Sequence, residues 1–298
     1  MFSFRAMGTE VAVAAPGVES GEEETLARAV AALFEAQEQR FSRFRDDSEL
    51  SLVHGGVDAV HVSPELLAAL LRARGYVELT DGIFDPAIGG ALAAHGYDRP
   101  FAPGALDRAA GPGSSLAAHF ADVQIDAARG TVWLPLAVRL DFGGMIKGYT
   151  CDRAAALLPT PSFVDAGGDA VMRGAGPDGD GWLVEVEDPR DAERALVSLR
   201  VRDRAVATSA PNRRHWQVGG ATAHHLIDPR TQRPARSDVA QVTVFAESAE
   251  LAEVVAKTAL VLGGREARDV LERTRSSGVL VRSGGRFEVV GDLEVIGA

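Results

Sequence analysis

Only two of the 31 basic residues of this chain are lysine, and each stands where a compact ammonium group could be required. Lys147 comes three residues after the pair Gly143-Gly144, where a predicted strand leads into a predicted helix. Free backbone N–H groups at a helix start bind anions, and glycine lets a ligand approach them closely. A lysine in that turn opposes the helix macrodipole and needs a partner such as a phosphate. The segment therefore predicts a phosphate site, although it is neither a Walker loop nor a GxGxxG motif.

The second lysine, Lys257, follows Glu253 by four residues on a predicted helix over 249–262. This spacing and order favour an ion pair between neighbouring side chains of one helix face. An exposed surface pair is the simpler interpretation. Ala256 and Leu260 share that face, so a pair that is not fully solvated is the alternative.

Two adjacent histidines, His224 and His225, precede Asp228 in a segment predicted to be a strand over 224–227. Successive side chains of a strand point to opposite faces, so the two histidines are not expected to bind one metal ion together. One of them could face a site beside Asp228 and act as a general base. A partly buried structural histidine is the alternative.

The elements that must position these residues occur in mixed order, which is typical of an α+β fold with largely antiparallel sheets and packed helices. Helices are predicted over 20–41, from 63 onward, and over 147–158, 249–262 and 265–275. Residues 80–113 are rich in glycine, proline and aspartate and predict loops. Strands are predicted over 10–14, 123–126, 131–134, 138–142, 163–166, 182–187, 196–201, 206–209, 215–218, 224–227, 239–246, 279–282 and 287–290.

The composition of the 298 residues excludes several classes of protein. Hydrophobic residues make up 46% and charged residues 24%, as in globular proteins. The net charge of −11 argues against nucleic acid as a partner. The single cysteine, Cys151, excludes an internal disulfide. We see neither a secretory signal nor a membrane-spanning run, so the expectation is a cytoplasmic protein without a membrane partner.

Taken together, these segments resemble the FAD:protein FMN transferase family, called ApbE, from about residue 5 to residue 264. The resemblance rests on motifs that occur in one consistent order along the chain. They are Met7-Gly8-Thr9, the stretch 41–50 (FSRFRDDSEL), Phe84-Asp85-Pro86, the stretch 140–153, Ala166-Gly167-Gly168-Asp169, Thr208-Ser209 and the stretch 225–231 (HLIDPRT).

The resemblance implies a single FAD-binding, flavin-transferring domain over residues 1–298, built as one body or as two closely packed lobes. Such a protein cleaves the pyrophosphate of FAD, attaches FMN to a threonine or serine of an acceptor protein, and releases AMP. Magnesium assists that reaction. Two other functions stay open: an FAD pyrophosphatase that yields FMN and AMP, and an FAD-binding module without catalysis.

The resemblance also implies roles for particular residues. His225 would accept the proton of the acceptor hydroxyl, and Asp228 would orient His225 or the ribityl chain of the flavin. The glycine pair and Lys147 would hold the pyrophosphate. The implied FAD-binding residues are Met7, Phe44, Phe84, Asp85, Gly143, Gly144, Lys147, Asp169, Thr208 and His225.

This chain departs from the family pattern at the implied metal site, which consists of the Gly144 carbonyl and the positions of Glu253 and Lys257. The family usually has aspartate and threonine at the latter two positions, and a protonated lysine cannot ligate magnesium. Either magnesium binds through Glu253, Gly144, phosphates and water, or Lys257 replaces the ion. Ala210 and Gln232 also stand where the family usually has glycine.

Overall fold

The protein is described by a computed structural model, which covers residues 1–101, 107–110 and 118–297. Part of the predicted loop region 80–113 lies outside these residues, and its described part contains one helix, α4. Short 3-10 turns occupy Phe120–Asp122 and Pro211–Arg213. The described residues contain seven α-helices: α1 (Ser20–Phe41), α2 (Glu49–Leu52), α3 (Pro64–Leu79), α4 (Gly89–Ala94), α5 (Ile146–Ala156), α6 (Ala249–Leu262) and α7 (Glu266–Arg273).

The same residues form eighteen strands, most of which match the predicted positions. They are β1 (Phe2–Ala6), β2 (Thr9–Ala14), β3 (Val60–His61), β4 (Gln124–Asp126), β5 (Thr131–Trp133), β6 (Ser162–Ala166), β7 (Asp169–Arg173), β8 (Trp182–Asp188), β9 (Asp191–Val201), β10 (Arg204–Ser209), β11 (His215–Val218), β12 (Ala221–His224), β13 (Ile227–Asp228), β14 (Arg233–Pro234), β15 (Val239–Ala246), β16 (Ser277–Arg282), β17 (Phe287–Val290) and β18 (Glu294–Gly297).

The chain divides into two compact units. Unit 1 comprises Met1–Ala36, Met145–Ala210 and Ser237–Ala298, and unit 2 comprises Gln37–Gly144 and Pro211–Arg236. The predicted single domain over 1–298 stays a prediction.

Unit 1 is built on an eight-stranded sheet in the order β1-β2-β6-β7-β10-β15-β16-β17, with every neighbouring pair antiparallel. A second sheet, in the order β18-β9-β8, belongs to the same unit. Alternation along β2 buries Val11 and Val13 against Phe34 of α1 and Cys151 of α5. Burial of each large apolar side chain contributes about 1.5–3 kcal/mol. These sheets and helices confirm the predicted α+β class.

The hairpin between β1 and β2 turns at Met7-Gly8, where the sequence predicted only a turn before the strand over 10–14. Met7 and Gly8 have φ values of 50° and 70°, and Ala6 pairs with Thr9 across the turn. Positive φ at both central residues defines the tight turn whose twist suits a two-residue hairpin. The Met7 side chain packs on the core beneath the sheet.

Unit 2 consists of helices α2, α3 and α4 with three small sheets: β3-β5-β4, β11-β12 and β13-β14. Helix α3 begins as its sequence predicts, because the Ser63 hydroxyl accepts the Leu66 N–H at 3.1 Å and Pro64 occupies the first turn.

The predicted strand over 138–142 in unit 2 is wrong. This segment runs beside residues 86–89 and makes one isolated bridge, between Ile88 and Arg139. Two backbone hydrogen bonds replace a strand ladder: Gly89 N–H donates to the Arg139 carbonyl at 2.9 Å, and Asp141 N–H donates to the Pro86 carbonyl at 2.7 Å.

Helices α5 and α6 of unit 1 pack unusually closely where α6 begins. A Cβ atom on Gly148 would lie 2.3 Å from the Ala249 carbonyl oxygen, so only glycine fits there. No helix among the described residues is long and apolar enough to span a membrane.

We predict that Gly148→Ala destabilises the protein by about 1–3 kcal/mol, the usual effect of overpacking. The gain in helix propensity, about 0.5–1 kcal/mol, is too small to offset the clash. Gly75→Ala is the control, because Gly75 lies in α3 and a Cβ atom added there would meet no atom within 4 Å. Chemical denaturation should show Gly148→Ala less stable and Gly75→Ala slightly more stable than wild type; equal effects would refute the tight contact.

Candidate active site

Both lysines of the chain meet at one buried carboxylate in unit 1. The Lys257 ammonium donates to Glu253 Oε1 at 2.9 Å, and the Lys147 ammonium lies 3.3 Å from the same oxygen. Lys147 also forms an ion pair with Asp169 at the start of β7. We call these four residues the lysine cluster. The sequence predicted the Glu253–Lys257 pair and an anionic partner for Lys147, but not that the two lysines converge on one carboxylate.

The surface interpretation of the Glu253–Lys257 pair is wrong. The Glu253 side chain is only 1% exposed, because α6 is covered on the face that carries it. Burial by itself would raise the pKa of Glu253, but the charges of Lys147 and Lys257, with the Gly148 N–H, outweigh it and hold this pKa below the usual range. Glu253 is therefore ionised at neutral pH.

A carboxylate of the protein itself accepts a hydrogen bond from the first turn of α5, where the sequence predicted a bound phosphate. Gly148 N–H, in that turn, donates to Glu253 Oε2 at 3.0 Å. Lys147 lies in the same turn, as predicted, and its partners in the structure include the carboxylates of Asp169 and Glu253. These carboxylates satisfy the requirement for an anionic partner that the sequence had assigned to a phosphate.

Asp152 is a positioning residue that the sequence analysis missed. Its carboxylate accepts the backbone N–H groups of Ala249 and Glu250 at 2.8 and 3.0 Å, at the start of α6. Burial raises the pKa of Asp152, although these two hydrogen bonds lower it. Helix α5 therefore caps α6 through Asp152, while α6 binds the first turn of α5 through Glu253. No spacing signal along the chain reveals a cap supplied by a different helix.

The residues at the implied metal positions do not fit a divalent cation. Magnesium takes oxygen ligands, and an ammonium group offers none. Both oxygens of Glu253 already accept hydrogen bonds, one from Lys257 and one from Gly148. Among the described residues, no group of three or more His, Cys, Asp or Glu side chains could hold a metal ion.

Two other FAD-binding residues implied by the resemblance lie in unit 1. Thr208 on β10 shares a hydrogen bond with Thr243 on the neighbouring β15, with 2.9 Å between the two hydroxyl oxygens. Met7 lies in the β1–β2 turn described above. Their roles in binding FAD stay predictions.

In unit 2, Phe44 and Gly143 are linked through a single ion pair. The Arg43 guanidinium lies 4.0 Å from the centroid of the Phe44 ring and pairs with Asp141. Asp141 in turn accepts the Gly143 N–H at 2.7 Å. Tyr97 packs edge-on against Phe44, with ring centroids 5.5 Å apart. The sequence proposed Phe44 and Gly143 independently, and the structure places them in one network.

Asp85 is buried, and its carboxylate binds backbone N–H groups. Its carboxylate accepts the N–H groups of Ala87 at 2.8 Å and Phe120 at 3.1 Å, and lies 3.3 Å from Nδ1 of His119. Burial raises the pKa of Asp85, and these hydrogen bonds partly counter it. The neighbouring Phe84 is buried. A part in FAD binding for either residue stays a prediction.

His225 lies between two strands rather than within one, so the predicted strand over 224–227 is wrong: β12 ends at His224. Nδ1 of His225 lies 3.3 Å from the Arg214 carbonyl oxygen. Asp228 pairs with Arg230, whose Nε and Nη2 donate to its two oxygens at 2.9 and 2.8 Å. The roles of His225 as base and of Asp228 as its orienting partner stay predictions.

Comparison with known proteins places this chain in a family. The sequence profile of the ApbE family matches residues 7–281. The chain belongs to the ApbE family.

Relatives of this ApbE family member match it over most of its length. A Treponema pallidum protein named FAD:protein FMN transferase is 31% identical over 78% of this chain and 69% of its own. A Rhodobacter capsulatus protein of the same name is 34% identical over 69% of this chain and 40% of its own. The crystal structure of the Thermotoga maritima ApbE protein has a TM-score of 0.85 at 27% identity, over 97% of this chain and 96% of that one.

One departure from the ApbE pattern has a clear structural consequence. Gln232, where the family usually has glycine, has a φ of 56°, in the left-handed region that favours glycine. Its side chain donates to the Pro229 carbonyl at 2.9 Å, and its backbone N–H donates to the Asp228 carbonyl at 2.8 Å. These two hydrogen bonds stabilise the turn after Asp228 in this ApbE family member. Ala210, the other departure, is buried.

We predict that Glu253→Gln lowers the free energy of unfolding at neutral pH by about 3 kcal/mol, because the variant leaves the largely buried Lys257 ammonium without a counter-charge and removes one of the two carboxylates beside Lys147. The lowered pKa of Glu253 means that the unfolded state binds more protons, so this stabilisation is present above the usual glutamate range and is lost as the pH falls through the folded pKa. Chemical denaturation across acid pH should show a smaller pH dependence in the variant.

The control is Glu24→Gln, which removes an exposed pair with Arg28 on α1 and should change little. Equal stability of Glu253→Gln and wild type at neutral pH would contradict a buried ion pair.

Proposed function

We propose that this chain is an FAD:protein FMN transferase. The observation that carries the proposal is the lysine cluster at the first turn of α5, in a chain that belongs to the ApbE family. Two ammonium groups beside a helix N-terminus suit the charge of a pyrophosphate. Proteins named FAD:protein FMN transferase match most of the chain.

The proposed reaction is a phosphoryl transfer. The hydroxyl oxygen of a threonine or serine on an acceptor protein forms a bond with the phosphorus of the FMN half of FAD. The pyrophosphate bond from that phosphorus to the bridging oxygen breaks, and AMP leaves with this oxygen. The hydroxyl proton passes to a base and then to solvent. Catalysis of such a step consists mostly of positioning and neutralisation of charge.

The residues of each unit have distinct proposed roles. His225 takes the hydroxyl proton, and Asp228 orients His225 or the ribityl chain. The backbone of Gly144 binds phosphate oxygens, because the Gly143 N–H already donates to Asp141. In unit 1, Lys147 neutralises phosphate charge. The remaining residues proposed to contact FAD are Met7, Phe44, Phe84, Asp85, Asp169 and Thr208.

Magnesium has no step in this proposal, because the residues at the implied metal positions do not fit the ion. The threonine or serine acceptor and the cytoplasmic location stay predictions from the sequence.

The activity is tested by incubating the purified chain with FAD, alone and with a protein extract of its source organism, each time both with and without Mg²⁺. A transferase is expected to release AMP. It should also leave flavin attached to an acceptor protein, which remains fluorescent after denaturing electrophoresis. AMP with free FMN and no flavin on protein would instead identify an FAD pyrophosphatase. FAD binding without AMP in any condition would identify a binding module.

We predict that His225→Ala binds FAD nearly as wild type does but releases AMP about 10²–10⁴-fold more slowly, which is the usual contribution of a general base. His61→Ala, at an exposed histidine of β3, is the control and should be fully active. Fluorescence titration measures binding, and AMP release measures turnover. Full turnover by His225→Ala would show that another residue is the general base, and Asp228 would be the next candidate.

We also predict that the chain binds FAD more tightly than FMN, because only FAD carries a pyrophosphate. Lys147→Ala should weaken FAD binding and reduce the difference in affinity between FAD and FMN. Circular dichroism should first establish that the variant is folded, because Lys147 also pairs with Asp169 and Glu253. Equal affinity of wild type for FAD and FMN in a fluorescence titration would contradict the phosphate role.

A further inference from the structure

The lysine cluster has its charges arranged in two layers. Its carboxylates lie inside, with the side chains of Glu253 and Asp169 only 1% and 4% exposed. Its ammonium groups lie nearer the solvent, with Lys147 and Lys257 side chains 15% and 21% exposed. An anionic ligand that approaches this surface therefore meets ammonium groups before carboxylates.

The formal charge of the cluster is already balanced by its own residues. Two ammonium groups face two carboxylates, so in the absence of FAD a bound divalent ion would add two further positive charges within a largely buried site. Burial of charge without a matching counter-charge is strongly unfavourable. An ion at Glu253 would compete at Oε1 with both ammonium groups and at Oε2 with the Gly148 N–H.

We propose that the Lys257 ammonium takes the place of a divalent cation at Glu253, so that this chain binds and cleaves FAD without a divalent metal. The proposal rests on the proposed function for its catalytic part. Lys257 holds one fixed positive charge on α6 four residues after Glu253, and its partly exposed ammonium group faces the phosphates of FAD. Together with Lys147 it supplies the positive charge that the departing phosphate requires.

The test compares wild type with Lys257→Thr, which removes the ammonium and leaves a hydroxyl oxygen beside Glu253. The first measurement is Mn²⁺ binding by electron paramagnetic resonance, in the absence of FAD. We expect no bound Mn²⁺ in wild type and one bound ion in Lys257→Thr. The control is Arg28→Thr, which breaks an exposed pair with Glu24 at the same i,i+4 spacing on α1 and should create no metal site.

The second measurement is AMP release from FAD in EDTA and in Mg²⁺. Wild type is expected to be equally active in both. Lys257→Thr should lose about tenfold or more in EDTA and recover with Mg²⁺, because a metal ion can supply the missing charge. Arg28→Thr should behave as wild type.

Two results would overturn the proposal: Mn²⁺ bound by wild type at a site that Lys257→Thr leaves unchanged, or wild-type AMP release that EDTA abolishes and Mg²⁺ restores. Absence of AMP release under every condition would count against the proposed function instead. The Mn²⁺ measurement would still decide the role of Lys257 in that case, because it requires neither FAD nor turnover.

Discussion

The carboxylate of Glu253 must be paired, because an unpaired charge in so buried a position would be severely destabilising. Three donors meet it: the two ammonium groups of the chain and one backbone N–H at the start of α5. This requirement fixes the register between α5 and α6. It also explains the absence of a side chain at Gly148, whose N–H must approach Glu253 while the Ala249 carbonyl lies beside it.

The pairing is reciprocal, which makes α5 and α6 one structural element. Asp152 of α5 caps the first N–H groups of α6, and Glu253 of α6 accepts from the first turn of α5. Acidic groups near helix N-termini are favourable because they face the positive end of the macrodipole. Yet buried ion pairs seldom stabilise a protein more than apolar side chains of similar size would. The four charged side chains of this cluster therefore need not add stability over apolar ones, and the proposed function gives the two ammonium groups a further role, the neutralisation of phosphate charge.

Much of the fold could be predicted from the sequence because it depends on local signals. Apolar periodicity located α6 and β15, and the Ser63-Pro64 pair located the start of α3. The strand prediction for 138–142 was wrong because this apolar segment packs beside residues 86–89 and forms no strand ladder. Strand β1 was missed although Phe2 and Phe4 alternate with polar residues, which is a usable signal.

The candidate site was less predictable, because burial and convergence are tertiary properties. The spacing of Glu253 and Lys257 indicated an ion pair but not its burial, and nothing local linked Lys147 to either. Asp152 carries no sequence signature of its cap. Resemblance to the ApbE family supplied the residues of the FAD site, and the structure added that the two lysines share one carboxylate.

The central claim, that Glu253 gathers both lysines into one cluster facing an anion, can be tested directly because the chain has no other lysine. Protein labelled with ¹⁵N only at lysine side chains should give two ammonium signals by nuclear magnetic resonance. The account predicts that both signals persist at neutral pH, since hydrogen bonds and burial slow their proton exchange, and that both shift when FAD is added. Signals that exchange as fast as those of a solvated lysine, and that FAD leaves unchanged, would contradict it.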